Sequence, residues 1–199
     1  MTYILTVFAI IFGTFYLSSC QPKKSSNISD EQTSSSVDTT KPLKPGQNYY
    51  YEIRTMALNM TPEQLKLQTP ADQTKVFGVV MDWDATEGVA TIISFETGDA
   101  SMYLSNGGGI IGGGGHPRVA EAVVKFVNTG QNFLNKAVKT DTTPLPDKNC
   151  IRFYLLTNKG KFTAQEDFKN FENNTSIWTP LFTEANKVIT ELRMLEEKR

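Results

Sequence analysis

The middle of this chain contains three closely spaced apolar segments, Val76-Phe-Gly-Val-Val-Met-Asp-Trp83, Val89-Ala-Thr-Ile-Ile-Ser-Phe95 and Ala100-Ser-Met-Tyr-Leu104. They are rich in Val, Ile and aromatic residues, a composition that favours β-strands. The linkers between them, Ala85-Thr-Glu-Gly88 and Thr97-Gly98, consist of turn-forming residues. Because connections this short can join only antiparallel neighbours, the segments predict a three-stranded meander.

Apolar residues at helical spacing flank the meander on both sides. Ile53, Met56, Ala57 and Met60 predict a first helix over about residues 50–59, and Thr61-Pro62 predicts the start of a short second one. A longer apolar stripe predicts a helix over about residues 117–138. Gly130 lies within that helix and requires either close packing or a break there.

The C-terminal third repeats both kinds of pattern. Residues Ile151 to Thr157 predict a strand, which turns at Asn158-Lys-Gly160 into a short strand at Lys161–Thr163. Thr163-Ala-Gln-Glu166 matches the capping box of a short helix. Regularly spaced apolar residues from Pro180 to Leu195 predict the last helix.

This order of elements predicts an α+β domain. We expect a sheet of about five strands, mostly antiparallel, covered by the long central helix and the C-terminal helix. The order is loosely similar to that of profilin-like and roadblock-like modules, which bind partners more often than they catalyse reactions. The similarity concerns topology alone and transfers no residue to this chain.

The N-terminus has the features of an export signal. Residues 2–17 are apolar and uncharged, and Leu17-Ser18-Ser19-Cys20 follows them. This motif resembles the lipobox of bacterial lipoproteins. The resemblance implies cleavage before Cys20, a diacylglyceryl thioether on its sulfur and acylation of its new amino group. No Lys or Arg precedes the apolar run, so an ordinary secretory signal or an uncleaved helix remains an alternative.

A polar segment separates this signal from the predicted domain. Residues 21–47 contain nine Ser or Thr, three Pro and almost no apolar side chains, which predicts a disordered tether spanning roughly 30 Å. We therefore divide the chain into a signal peptide (1–19), a lipidated cysteine with its tether (20–47) and one globular domain (48–199). Two or three acyl chains would hold the mature protein on a bacterial membrane, either the outer membrane or the outer leaflet of the cell membrane.

Composition excludes some functions. The formal charge is −1 and the isoelectric point is about 5.9, so the chain has no basic excess with which to bind nucleic acid. Because lipidation would use Cys20, Cys150 has no partner for an intrachain disulfide. Asp82, Asp84 and Glu87 lie at the first hairpin but depart from the EF-hand pattern, and we interpret them as solvated charges. The sequence predicts no metal and no cofactor.

Seven of the fourteen glycines lie in the run Gly107-Gly-Gly-Ile110-Ile111-Gly-Gly-Gly-Gly115, which His116-Pro117-Arg118 follows. The leading interpretation is a loop that passes close to other backbone or adopts positive φ angles. A second interpretation is a contact with a protein partner through Ile110 and Ile111. A third is an anion site at the helix N-terminus, formed by Gly112, Gly113, Gly114, Gly115, His116 and Arg118.

The glycine run and the segment Ile151-Arg-Phe-Tyr-Leu-Leu-Thr157 also resemble bacterial proteins with no assigned activity. No paired nucleophile and base can be identified, so enzymatic activity is open but not favoured. The first hypothesis is a membrane-anchored, envelope-facing lipoprotein whose non-catalytic domain binds a protein partner. The alternatives are a small-anion or nucleotide binder, possibly an enzyme, that uses the glycine loop, and a structural spacer.

Overall fold

A computed structural model describes residues 49–197 of the chain. The helices are α1 (Tyr49–Leu58), α2 (Pro117–Phe133), α3 (Phe168–Glu172) and α4 (Thr179–Glu196). The strands are β1 (Val76–Ala85), β2 (Gly88–Phe95), β3 (Ala100–Leu104), β4 (Gly109–Ile110), β5 (Val138–Thr140), β6 (Cys150–Thr157) and β7 (Gly160–Asp167). Cys20 and the predicted tether lie outside the described residues.

All of these strands belong to one sheet in the order β4-β3-β2-β1-β6-β7-β5, with every neighbouring pair antiparallel. The α+β class and the antiparallel meander are therefore confirmed. The expected number of strands was wrong, because the sheet has seven strands and not about five. The two additional strands, β4 and β5, are short and form its two edges.

The second additional strand lies where the sequence predicts the end of the long helix. Helix α2 stops at Phe133, one 3₁₀ turn follows, and Val138 then pairs with Thr163 of β7. Strand β7 is also longer than expected, so Thr163 to Glu166 are extended and not a helix cap. Asp167 caps α3 instead, by accepting a hydrogen bond from the Lys169 N–H. Pairing along the sheet overrides the local helical patterns at both places.

One face of the sheet packs against α2 and α4 through apolar contacts. Gly130 lies so close to this face that an added Cβ would be 2.9 Å from Val79 Cγ2, which confirms the expectation of close packing. On the same face of the sheet, Trp83 of β1 forms an edge-on contact with Phe182 of α4, with ring centres 6.0 Å apart. Phe153 stacks on Trp178, with ring centres 5.8 Å apart.

Helix α1 covers the opposite face of the sheet, to which the alternate residues of each strand point. Ala57 and Leu58 of α1 share a buried cluster with Val80, Ile93 and Tyr154 of the sheet. The domain thus has three layers, with α1 on one side of the sheet and α2 with α4 on the other. Within residues 49–197, no helix combines the length and the apolar character that crossing a bilayer requires.

Candidate functional site

The glycine loop owes part of its shape to positive φ angles. Gly107, Gly108 and Gly112 have φ angles of +110°, +87° and +84°, a region that residues with a side chain rarely adopt. An added Cβ at any of these three would meet no atom within 4 Å. These glycines are therefore needed for backbone conformation, and their exposed surface is bare backbone.

Three other glycines are needed because the loop packs tightly. An added Cβ on Gly109 would be 2.5 Å from the Met102 carbonyl oxygen. On Gly113 it would be 2.6 Å from Val119 Cγ1, and on Gly114 it would overlap the Asp99 carboxylate. The loop is thus held against β3, the β2–β3 turn and α2, as the leading interpretation of the glycine run predicts.

The two isoleucines of the loop have different environments. Ile110 pairs with Met102 in the sheet and is 7% exposed, so it belongs to the core and cannot meet a partner. Ile111 is 46% exposed, one of the larger apolar side chains on the surface. The predicted contact with a protein partner is therefore wrong for Ile110. For Ile111 it stays a prediction.

The predicted anion-site residues lie at the N-terminal end of α2. His116 is the N-cap residue, but its side chain makes no capping hydrogen bond. Its carbonyl oxygen accepts from the Ala120 N–H at 3.0 Å. His116 and Arg118 are exposed, as are Gly112 and Gly115, Gly114 is partly exposed, and Gly113 is buried. The structure brings these residues to one end of the helix.

A shallow groove of about 580 Å³ runs along the outer side of α2. Its N-terminal end is formed by Thr97 and Gly98 of the β2–β3 turn, and its wall by Glu121, Lys125, Asn128 and Asn132 of α2. The same turn carries Asp99, which packs on Gly114 of the glycine loop. The groove and the glycine loop therefore adjoin.

A buried ion pair lies beneath α1, on the other side of the sheet. Arg54 Nε and Nη2 donate to Asp82 Oδ2 at 3.0 and 2.6 Å, and the two side chains are 6% and 0% exposed. Thr91 Oγ1 donates to Asp82 Oδ1 at 2.5 Å, and the Tyr50 hydroxyl is 2.8 Å from Thr91 Oγ1. The interpretation of Asp82 as a solvated hairpin charge is wrong.

The same arginine also holds the loop before β6. Arg54 Nη1 donates to the Thr143 carbonyl at 2.9 Å, and Nη2 donates to the Pro144 carbonyl at 3.1 Å. The Tyr154 hydroxyl donates to that Pro144 carbonyl as well. Because these groups satisfy one another, the network joins α1, the sheet and the 141–149 loop as a structural anchor.

The pKa values in this region reflect that burial. Burial alone would lower the pKa of the Arg54 guanidinium, but its hydrogen bond and charge interaction with Asp82 raise it above the ordinary value. Burial also raises the pKa of Tyr50 to about 12, despite the hydrogen bond to Thr91. Both groups therefore keep their neutral-pH protonation states over a wide range, which suits an anchor and not a proton-transfer site.

Cys150 is the first residue of β6 and is partly buried. Burial raises the pKa of its thiol, and the carboxylates of Asp167 and Asp147 raise it further. The thiolate, which is the nucleophilic form, is thus disfavoured. Among residues 49–197, no group of three or more His, Cys, Asp or Glu side chains is arranged to hold a metal ion.

Sequence reasoning missed both the ion pair and the groove. Arg54 interrupts the apolar stripe of α1, and Asp82 interrupts the apolar run of β1. Two opposite charges within buried segments indicate an ion pair, and this signal could have predicted it. The polar residues of α2 that line the groove gave no such indication, because a helix face exposed to solvent has the same composition.

Comparison of the chain with known proteins finds no match among protein-family profiles, curated proteins or solved structures.

Proposed function

We propose that this chain is a lipid-anchored protein of the bacterial envelope whose domain binds a protein partner. The observation that carries the binding part is Ile111. It is 46% exposed, and it stands on a loop that close-packed glycines hold in place. An exposed aliphatic side chain on a fixed backbone can contact a partner without a large loss of conformational entropy.

The anchoring part of the proposal rests on the sequence before the domain. The motif Leu17-Ser18-Ser19-Cys20 ends an apolar segment, and helix α1 begins at Tyr49. If the 28 residues from 21 to 48 form a random coil, as their composition predicts, the r.m.s. distance between its ends would be roughly 30 Å. The domain would then meet partners that lie in or near the same membrane.

Photocrosslinking in cells tests the binding function. A benzophenone amino acid at position 111 should crosslink a protein, whereas the same group at Val138, which is 70% exposed at the β5 edge, should not crosslink the same protein. Ile111→Asp should remove the interaction while urea unfolding stays unchanged. Ile110→Asp is unsuitable because it would bury a charge. An Ile111→Asp variant that retains its partners would contradict the proposal.

Mass spectrometry of the mature N-terminus tests the anchor. The chain should begin at Cys20 and carry two or three acyl chains, and Cys20→Ser should move it from the membrane fraction to the soluble fraction. A mature chain with an unmodified Cys20 thiol would overturn this part of the proposal and leave the binding part standing.

A small-anion or nucleotide function is the second candidate. It is favoured by the start of α2, where the first turn has no acidic residue and both His116 and Arg118 are exposed. This function requires phosphate compounds to raise the melting temperature, and Arg118→Ala to remove the increase. A melting temperature that phosphate leaves unchanged would eliminate it.

A further inference from the structure

The two edges of the sheet differ in their protection against further strand pairing. An edge strand presents unpaired N–H and C=O groups, and proteins commonly place lysine there to prevent pairing with another chain. Strand β5 has Lys139 at its centre, and this lysine is exposed. At the opposite edge, residues 105–115, which include β4, carry no charged side chain. The edge formed by β4 is therefore open to a further strand.

The outward backbone groups of β4 follow from its pairing with β3. The Leu104 N–H donates to the Gly108 carbonyl oxygen at 3.1 Å, so Gly108 bonds toward β3. Because bonding directions alternate along an antiparallel strand, the N–H and C=O of Gly109 point away from β3. Ile111 is the next outward position, and within residues 49–197 its N–H and C=O have no hydrogen-bond partner. Gly109 and Ile111 are both exposed, so their donors and acceptors are available to another strand.

The same two positions have complementary shapes. An added Cβ on Gly109 would be 3.0 Å from Tyr103 Cδ1, so the tyrosine ring borders a hollow of bare glycine backbone. Tyr103 packs against the apolar cluster under α1, which places this hollow on the α1 face of the sheet. Ile111 follows two residues later, the spacing at which strand residues share a face, and its side chain is 46% exposed. The β4 edge therefore carries an apolar projection beside a hollow.

We propose that β4 pairs with β4 of a second copy of this chain, antiparallel and about a two-fold axis. Gly109 of each copy then lies opposite Ile111 of the other, and each pair exchanges both of its N–H···O bonds. The Ile111 side chain covers the glycine hollow of the second copy and contacts the Tyr103 ring there. Both Ile110 side chains stay in their own cores. This inference rests on the proposed binding function and identifies the partner that Ile111 contacts.

Symmetry favours a second copy over another protein. Residues beside a two-fold axis lie close to their own counterparts, so a charge there would meet a like charge. Residues 105–115 place no charge at this axis, and the hollow and the projection occur on one segment. The same operation at the β5 edge would bring Lys139 close to its counterpart. Self-pairing is thus compatible with β4 and opposed at β5.

The anchor proposed for this chain fits the same geometry. Opposite side chains of an antiparallel pair point to the same side, so α1 of both copies lies on one face of the joined sheet. Helix α1 begins at Tyr49, so the chain enters both domains from that face, and one membrane can hold both copies. Pairing over residues 109–111 is small beside the ~800 Å² per partner of a stable complex, but a shared membrane raises the local concentration.

Photocrosslinking between two tagged copies tests the inference. The full chain is expressed in cells with one C-terminal tag and a benzophenone amino acid at position 111, together with an otherwise unmodified copy that carries a second tag. Irradiation should yield a product that carries both tags, and mass spectrometry should locate the crosslink within residues 101–111 of the unmodified copy. A crosslink elsewhere on that copy, or to a different protein alone, would overturn the inference.

Substitutions in the copy without the benzophenone test the backbone and the side chain separately. Ile111→Pro replaces an N–H that bonds across the interface and leaves the opposite carbonyl unpaired, so the crosslink yield should fall about tenfold. Ile111→Asp places a carboxylate beside the tyrosine ring and should lower the yield by about tenfold or more. Ile111→Val keeps the backbone and most of the side chain, and should leave the yield within about threefold.

The variant Val138→Asp is the matched control at the β5 edge. Val138 is 70% exposed, so this variant adds the same charge to an exposed aliphatic position and should leave the crosslink yield unchanged. Urea unfolding identifies which of Ile111→Pro and Ile111→Asp remains folded, and one folded variant is sufficient. A yield that the folded variant leaves unchanged, or that Val138→Asp lowers equally, would overturn the inference.

The two proposals fail in distinguishable ways. If position 111 crosslinks a different protein and no product carries both tags, the binding function stands and the pairing with a second copy is wrong. If position 111 crosslinks no protein, the binding function is wrong, and the self-pairing that rests on it is wrong as well.

Discussion

The two faces of the sheet are closed by different chemistry. Under α2 and α4 the contacts are apolar, and aromatic rings such as Trp83, Phe153 and Trp178 pack on one another. Under α1, an apolar cluster around Ala57 and Leu58 is combined with a buried ion pair, Arg54 with Asp82. The face under α2 and α4 gains its stability from area removed from water, whereas the face under α1 depends in addition on the hydrogen bonds of its ion pair.

This difference determines how each face responds to substitution. An apolar layer loses the contacts of the atoms that are removed and relaxes partly around the cavity. A buried ion pair that loses one partner leaves an uncompensated charge, which the interior cannot solvate. The ion pair under α1 should therefore be more sensitive to single changes, and less sensitive to replacement of both partners together.

The largest effect is expected for Asp82→Ala. It leaves the Arg54 guanidinium buried without a counter-ion and should lower the free energy of unfolding by about 3–5 kcal/mol. Urea unfolding followed by tryptophan fluorescence measures the change. In the double variant Arg54→Met with Asp82→Leu, most of the loss should be recovered. If the single and double variants lose equal stability, the contrast between the two faces disappears.

On the apolar face, Leu155→Ala should be next in size. Leu155 is fully buried, and its removal should cost about 2–4 kcal/mol through lost contacts and a cavity. The matched change on the surface, Val138→Ala, should alter stability by less than about 0.5 kcal/mol, because Val138 is 70% exposed. The same urea titration compares them, and similar losses at both positions would contradict the core assignment.

Alkaline pH should weaken the α1 face. Burial raises the pKa of Tyr50 from 10.0 to about 12, so the folded state favours the neutral phenol. The stability that this contributes is complete below pH 10 and is lost as the pH rises from 10 to 12. Unfolding midpoints at pH 8, 9, 10, 11 and 12 should stay level up to about pH 10 and fall over the last two steps. The fall should be less steep in Tyr50→Phe, and an identical slope would argue against the buried phenol.

The smallest effect is expected at the point where α2 approaches the sheet. Gly130→Ala places a methyl group 2.9 Å from Val79 Cγ2, a steric cost that the higher helix propensity of Ala offsets by about 1 kcal/mol. We expect a net destabilisation of about 1 kcal/mol. With Val79→Ala also present, the two losses should sum to more than the loss of the double variant. Additive losses would show that Gly130 is not needed for close packing.

Local patterns predicted most of the elements. The bounds of β3 agree with the sequence to the residue, and α1, β1, β2, β6 and α4 agree within about two residues. These segments have strong periodicity or composition, and neighbouring turn residues limit them. Where local and long-range preferences disagree, as at Val138 and over Ala164 to Glu166, the sequence pattern predicted a helix, whereas pairing within the sheet makes these residues part of a strand.

The candidate site shows the same division. Sequence alone identified the glycine run and the absence of a basic excess and predicted the lipobox at Cys20, because composition and spacing are local properties. It could not distinguish Ile110 from Ile111, or a buried Asp82 from a solvated one. Successive residues of a strand point to opposite faces, and only the pairing of the strands decides which face is buried. Only the tertiary structure placed the start of α2 beside the β2–β3 turn, since the close approach of Gly98 to Ala120 joins segments that are distant in the chain.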